Sequence, residues 1–191
     1  MTTYRNSMRG RVGCVMTLAA VAAGSLIATP ALATPHQGSL GNPSQGDITI
    51  TASVQARARL SGLTDVTFSN QDPGTAASNA QNVCVWSNTS GKTYTVTATG
   101  DGASKAFTLS NGSGTVPYSV EWAGTTGQTS GSSLTTNTAS ASFTSGAVDQ
   151  TCSSAPSTTA SLVVKIGTTD LGTMTSGSNY SGVLTLSIAP L

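Results

Sequence analysis

The residues in this sequence that could do chemistry are its three cysteines, its one histidine and its scattered carboxylates. Cys14 lies in a leading segment that reads as an export signal, which leaves Cys84 and Cys152. Two cysteines in an exported chain most simply form a disulfide, and the alternative is a pair of buried free thiols. A metal centre is a poor reading: two sulfurs do not complete a tetrahedral site, and the single histidine, His36, sits in a segment without periodicity. The same isolation of His36 argues against a Ser-His-Asp relay. Asp47, Asp65, Asp72, Asp101, Glu121, Asp149 and Asp170 stand singly along the chain, so paired-carboxylate hydrolysis has no support. No glycine-rich phosphate loop joins a strand to a helix, and no amide cluster has calcium-loop spacing. The reading is therefore of a protein that is not an enzyme and takes no cofactor. Arg57 and Arg59 share one strand face, either as a ligand patch or, more simply, as a solvated face. Trp86, two residues after Cys84, and Trp122 are expected to pack in the core near the disulfide; the alternative for an exposed Trp is stacking on a sugar.

The elements that position these residues are strands. Asp47–Leu60 alternates strictly, with Ile48, Ile50, Ala52, Val54, Ala56, Ala58 and Leu60 apolar and Thr49, Thr51, Ser53, Gln55, Arg57 and Arg59 polar. Period two gives a strand one dry and one wet face. Ordinary strands run to about 5–6 residues, so this stretch is long enough to pair with a neighbouring molecule as well as with its own sheet. The ordinary alternative is the first strand of a self-contained sandwich. Shorter β-like runs follow at 66–69, 82–87, 93–99, 106–109, 116–123, 139–144, 161–166 and 182–189. Turn signals such as Asp72-Pro73-Gly74, Gly100-Asp101-Gly102 and Asn111-Gly112 separate them. The spacing predicts an all-β sandwich or barrel. Residues 76–81 read as loop or one helical turn, and 124–137 as a surface loop or weak edge strand. The expected core comprises Val83, Val85, Tyr94, Val96, Phe107, Leu109, Val120, Trp122, Phe143, Leu162, Val164, Leu184, Leu186 and Ile188. The last strand has Leu184, Leu186 and Ile188 on one face, with nothing following to cover its outer edge, a pairing hazard in an isolated protein.

Residues 1–33 read as a signal peptide: Arg5, Arg9 and Arg11 precede an apolar run over 12–28, and Ala31-Leu32-Ala33 supplies the cleavage pattern. A membrane anchor is the weaker reading, because Gly24 and Ser25 break a run that is already short. The expected mature chain from Thr34 carries Arg57, Arg59, Lys92, Lys105 and Lys165 against the seven carboxylates named above, a net charge of −2. That surface lacks the clustered cations that nucleic acid or anionic lipid needs. Residues 34–46, rich in Gly, Pro, Ser and Gln, read as a mobile leader.

Three stretches together resemble subunits of chaperone-usher fimbriae, especially the colonisation-factor-type (alpha-class) major pilins. They are the segment from Ile48 to Val54, the run Val116-Pro117-Tyr118-Ser119-Val120-Glu121-Trp122-Ala123-Gly124, and Asn179-Tyr180-Ser181-Gly182-Val183-Leu184-Thr185-Leu186. The resemblance implies an immunoglobulin-like β-sandwich with an incomplete sheet, completed by the leading strand of another subunit. It implies that Ile48, Ile50, Ala52 and Val54 are the donor plugs and that Leu184, Leu186 and Ile188 help line the acceptor groove. Its physics is strand addition, in which ladder bonds give affinity and alternate side chains set register. It also implies other pilin subunits, a periplasmic chaperone, an outer-membrane usher and a host or glycan receptor as partners, and passage through the periplasm to a surface fimbria. The proline common after the donor segment is replaced by Gln55-Ala56-Arg57. The cysteine pair is closer to archaic, spore-coat-U-like subunits. The expected organisation is a signal peptide over 1–33, a leader over 34–46, a donor strand over 47–56 and a sandwich over 57–191. The competing reading is a self-contained secreted sandwich that acts as an adhesin or carbohydrate-binding module.

Overall fold

Apolar residues two apart on a strand share one face, and burying that face against a second sheet is how the main sheet is built. In the computed structural model, which describes residues 34–191, β1 (Ala58–Ser61) and β2 (Ala77–Ser87) open the sheet. They are followed by β3 (Thr93–Gly100), β4 (Thr108–Ser110), β5 (Thr115–Pro117), β6 (Ser119–Ala123), β7 (Ser132–Ser133), β8 (Phe143–Thr144), β9 (Ala160–Ile166) and β10 (Leu184–Pro190). The segment expected to be a signal peptide, with its expected cleavage site and Cys14, lies outside the described residues.

The chain divides after Ala52. In the second unit, a five-stranded antiparallel sheet runs β1-β2-β9-β6-β7 and a three-stranded sheet runs β10-β3-β8, with β4 and β5 forming a separate hairpin. Val83, Val85, Val120, Trp122, Leu162 and Ile166 of the larger sheet enclose one apolar core with Tyr94, Val96 and Ala98 of the smaller. Trp122 and Tyr94 are its largest members, fully buried, with rings edge to face at 6.5 Å. Trp122 Nε1 donates to Tyr94 Oη at 3.3 Å, so neither polar tip is orphaned. Gly131 lies where β7 returns along β6, and a Cβ there would collide with the Trp122 carbonyl.

The all-β class expected from the spacing is the class observed; of the expected core residues eight are buried in this cluster, and Phe107, Leu109, Phe143, Leu184, Leu186 and Ile188 pack against it partly buried. Several details differ. Residues 77–81 are not loop: they extend β2, because Ala77, Ser78, Asn79, Ala80 and Gln81 find ladder partners along β9. Residues 66–69 form no strand, although Val66 and Phe68 still turn into the core. The expected strand at 116–123 breaks at Tyr118, whose N–H bonds instead to the Phe107 carbonyl at 2.9 Å. The expected strand at 139–144 keeps only Phe143 and Thr144, preceded by a single bridge between Thr97 and Ala139. The weak edge strand foreseen within 124–137 is β7. Among the described residues, helix is limited to one turn at α1 (Thr168–Leu171) and a 3-10 turn at 103–105.

The long strand expected over Asp47–Leu60 reduces to β1 at its C-terminal end; residues 48–57 carry no ladder. Alternation dictates which side chains share a face, but a strand forms only where a second backbone accepts its hydrogen bonds. In the first unit, residues 34–52 contain no helix or named strand. Their loop is closed by two backbone hydrogen bonds of 3.0 Å between His36 and Asp47, and the His36 Nδ1 atom lies 3.4 Å from Asp47 Oδ1. That closure spans the segment expected to be a mobile leader.

Candidate functional site: an unpaired sheet edge

Cys84 and Cys152 form a disulfide that links residues 68 apart in sequence. It sits in a small second cluster with Ala147, against which Trp86 packs. Trp86 therefore lies where the sequence places it, but Trp122 does not: it belongs to the main core, opposite Tyr94. Ser61, paired with Cys84 across β1 and β2, brings its hydroxyl to 3.9 Å from Cys152 Sγ. The disulfide thus secures the sheet at the β1 edge.

The edge of the smaller sheet is different. On β10, Leu184, Leu186 and Ile188 all point toward the main core, yet all three remain half-exposed. β10 pairs with β3 on one side and, among the described residues, has no strand on the other. The direction of its free backbone groups follows from the register. Pro190 stands opposite Tyr94, and Leu191 N–H donates to the Thr93 carbonyl at 3.0 Å, so residues 191 and 93 are a hydrogen-bonded pair. Antiparallel ladders alternate bonded and non-bonded pairs. Thr185, Ser187 and Ala189 therefore bond to β3, while Leu184, Leu186 and Ile188 turn their N–H and C=O groups to the open side. The far edge of β3 agrees: the Val96 and Ala98 carbonyls there accept the Ser140 and Asn137 N–H groups at 2.9 and 2.8 Å. Pro190 also faces the open side and has no N–H, so the row of outward donors ends at Ile188.

The same three residues thus present apolar side chains inward and unpaired backbone outward. β1 lies at the matching edge of the larger sheet, with Cα atoms within 8 Å of β10 but no ladder between them. The sequence-predicted groove residues are brought together in one row. Leu60, Val66 and Phe68 pack on the same core and were not foreseen as its flank; their alternating positions are the signal that carries them.

The predicted plugs are all exposed, Ile48 at 73%, Ile50 at 83% and Val54 at 84%, with Ala52 likewise open to solvent. Arg57 and Arg59 are exposed as well.

Elsewhere the polar groups are satisfied. The buried Ser145 hydroxyl donates to the Val85 carbonyl, and the buried Thr159 hydroxyl accepts the Val85 N–H at 2.9 Å. Ser161 Oγ donates within reach of Asn82 Oδ1 and the Thr125 carbonyl, each at 3.0 Å. Glu121, hydrogen-bonded by Lys165 Nζ at 2.8 and 2.9 Å and by the Gly131 N–H at 2.9 Å, has its carboxyl held below the ordinary range, chiefly by the lysine. Burial pushes the Tyr94 hydroxyl up. Asp149 is held well below the usual carboxylate range by the Thr151 side chain and the Ser154 N–H, a loop-closing role rather than a reactive one. Among the described residues there is no group of three or more His, Cys, Asp or Glu that could hold a metal. No described helix is long and apolar enough to cross a membrane.

A hollow of about 420 Å³ is lined by Gly124, Thr126, Thr144, Ser145, Pro156 and Thr158. The Thr126 and Thr158 hydroxyls bond each other at 2.8 Å, and Trp122 is fully buried, so no aromatic platform faces it from that residue. No protein-family model matches the chain, and no curated protein matches it.

Proposed function

We propose that this protein is a structural subunit of an extracellular fimbria. In this reading it assembles by the chaperone-usher route through donor-strand complementation and supports adhesion or biofilm formation. Its sandwich is immunoglobulin-like and lacks one strand. That strand comes from a second copy, whose Ile48, Ile50, Ala52 and Val54 enter beside β10. The chain travels in a periplasmic chaperone's keeping to an outer-membrane usher, having entered by its signal peptide.

One observation carries the reading: Leu184, Leu186 and Ile188 expose half-buried apolar side chains and unpaired backbone groups on the same open edge. An edge of that kind invites another strand. The exposed alternating segment Ile48–Val54 has the composition to fill it, since its apolar residues would face the core in the register that sets them beside Leu184, Leu186 and Ile188. Full burial of an Ile or Val side chain is worth roughly 1.5–3 kcal/mol, so three such plugs would supply several kcal/mol before any ladder bond. A strand lying between two others needs about 9.6 Å between them. Where β1 comes within 8 Å of β10, it must therefore move aside by about 2 Å.

Removing residues 34–54 should leave a subunit that cannot extend a fibre, and unheated surface extract of the unaltered strain should run as a ladder that collapses on boiling. A truncated chain that still builds normal fibres would defeat the proposal. So would a mature chain that purifies as a stable, glycan-binding monomer, which would favour the self-contained adhesin.

A further inference from the structure

The alternating segment and β1 form one uninterrupted sequence pattern, and nothing in the pattern says where one subunit's donor ends and its own fold begins. The structure offers a marker. Asn88, in the turn after β2, makes three hydrogen bonds to the chain just before β1. Its Oδ1 accepts the Arg57 N–H at 2.6 Å, its Nδ2 donates to the Gln55 carbonyl at 2.8 Å, and its own N–H donates to the Arg57 carbonyl at 3.1 Å. β2 ends at Ser87, opposite Ala58, so Asn88 continues the pairing of β1 and β2 beyond the last ladder residues. The carboxamide supplies the donor and the acceptor that a further strand residue would have supplied. Val54, immediately before this grip, is free of it and 84% exposed.

We propose that Asn88 is a positioning residue that clamps Gln55–Arg57 to their own sandwich and so fixes the joint between successive subunits. This rests on the donor-strand reading. Val54 would be the last residue held by the neighbour, and Gln55 the first held by its own fold, with no slack between them. Without the carboxamide, the first attachment falls at the Arg57 carbonyl, which the Asn88 backbone N–H still holds. Residues 55 and 56 then become tether, adding about 7 Å of reach at 3.3–3.6 Å each. A clamped joint transmits orientation from one subunit to the next, and a tethered one does not.

The clamp itself is read on the soluble mature chain or its chaperone complex by trypsin, which cleaves after Arg57. The Asn88→Ala variant should be cut there at least tenfold faster than the unaltered protein, with fast hydrogen exchange at the Arg57 amide. The Asn88→Asp variant, which keeps the acceptor for Arg57 but loses the donor to Gln55, should fall between. The oxidised Cys84–Cys152 bridge and an unchanged near-ultraviolet spectrum verify folding; Asn88→Asp serves if Asn88→Ala does not fold. Equal cleavage and exchange in all three proteins would overturn the clamp. The joint is read on fibres, where Asn88→Ala should shorten the persistence length in electron micrographs; unchanged stiffness beside faster cleavage would overturn its role in the joint. Failure of the unaltered protein to polymerise at all would instead defeat the donor-strand reading, leaving the tryptic result to judge the clamp.

Discussion

β9 and β10 are both seven residues long, β9 with four Leu, Val or Ile residues and β10 with three Leu or Ile residues, but their surroundings differ. β9 is flanked by β2 and β6, and of its seven residues only Lys165 escapes full burial. β10 has a neighbour on one side, and its three inward apolar residues stop half-way to burial. Composition does not account for this contrast; the missing neighbour does. A strand's burial is set by what lies beside it, so a half-buried apolar row at a sheet edge points to something absent. The two strands also differ in how they are secured: the β1–β2–β9 region carries the disulfide nearby, whereas β10 is held by the β3 ladder and a bridge between Ser110 and Ser181.

The contrast can be broken at its stable end first. Cys152→Ser should lower stability by about 4 kcal/mol, the loop-closure value for a bridge of this span, visible as a reduced urea midpoint with a steeper slope, because the unfolded chain is released to expose more surface. Trp122→Ala, which empties the largest core site, should cost about 3–5 kcal/mol. The sharper comparison uses one chemical change at both strands. Leu162→Ala on β9 should cost about 2–5 kcal/mol in the monomer, because Leu162 is 3% exposed. Leu186→Ala on β10 should cost about 1 kcal/mol or less in the monomer, since much of that side chain still meets water. In assembled fibres the second cost should rise toward the first. Equal costs in the monomer would mean that the β10 face is already closed.

The smallest effect concerns charge. Lys165 holds the Glu121 carboxyl below its ordinary value of 4.5. The folded state therefore binds that proton less readily than the unfolded state, and the pair's stabilisation is present above pH 4.5 and fades as pH falls below it. Glu121→Gln should remove that part of the acid sensitivity, at a cost of at most about 1 kcal/mol at neutral pH. Unfolding midpoints at pH 7 and pH 3 measure it.

Much of this was legible in the sequence, for reasons that also explain the gaps. Val83, Val85, Val120, Leu162 and Leu186 alternate, and period two reports inward faces whatever the neighbours are. The Cys84–Cys152 bridge was legible as two cysteines behind a segment that reads as an export signal. Ala77–Gln81 was hidden because its Ala, Ser, Asn and Gln carry no strand propensity; pairing with the apolar β9 overrides it. Asp47–Arg57 failed in the opposite direction, since perfect alternation cannot supply the partner that a ladder requires. Trp122 was placed near the disulfide on aromatic character alone, whereas its position opposite Tyr94 depends on a sheet-to-sheet contact that spacing does not encode. Asn88 gave no signal at all, because an Asn in a turn is ordinary until its carboxamide is seen to bridge Gln55 and Arg57.

Mixing two single-cysteine variants tests most directly whether one copy's leading segment seats beside another copy's last strand. Chains bearing Leu186→Cys would be assembled with chains bearing Ile48→Cys, Ile50→Cys or Ala52→Cys in turn, and with Thr49→Cys and Thr51→Cys as outward-facing controls. Intermolecular disulfide dimers on non-reducing gels from one or two of the apolar positions, and none from the threonines, is the expected outcome. Absence of any crosslink, or equal crosslinking from both faces, would contradict strand donation into the β10 edge.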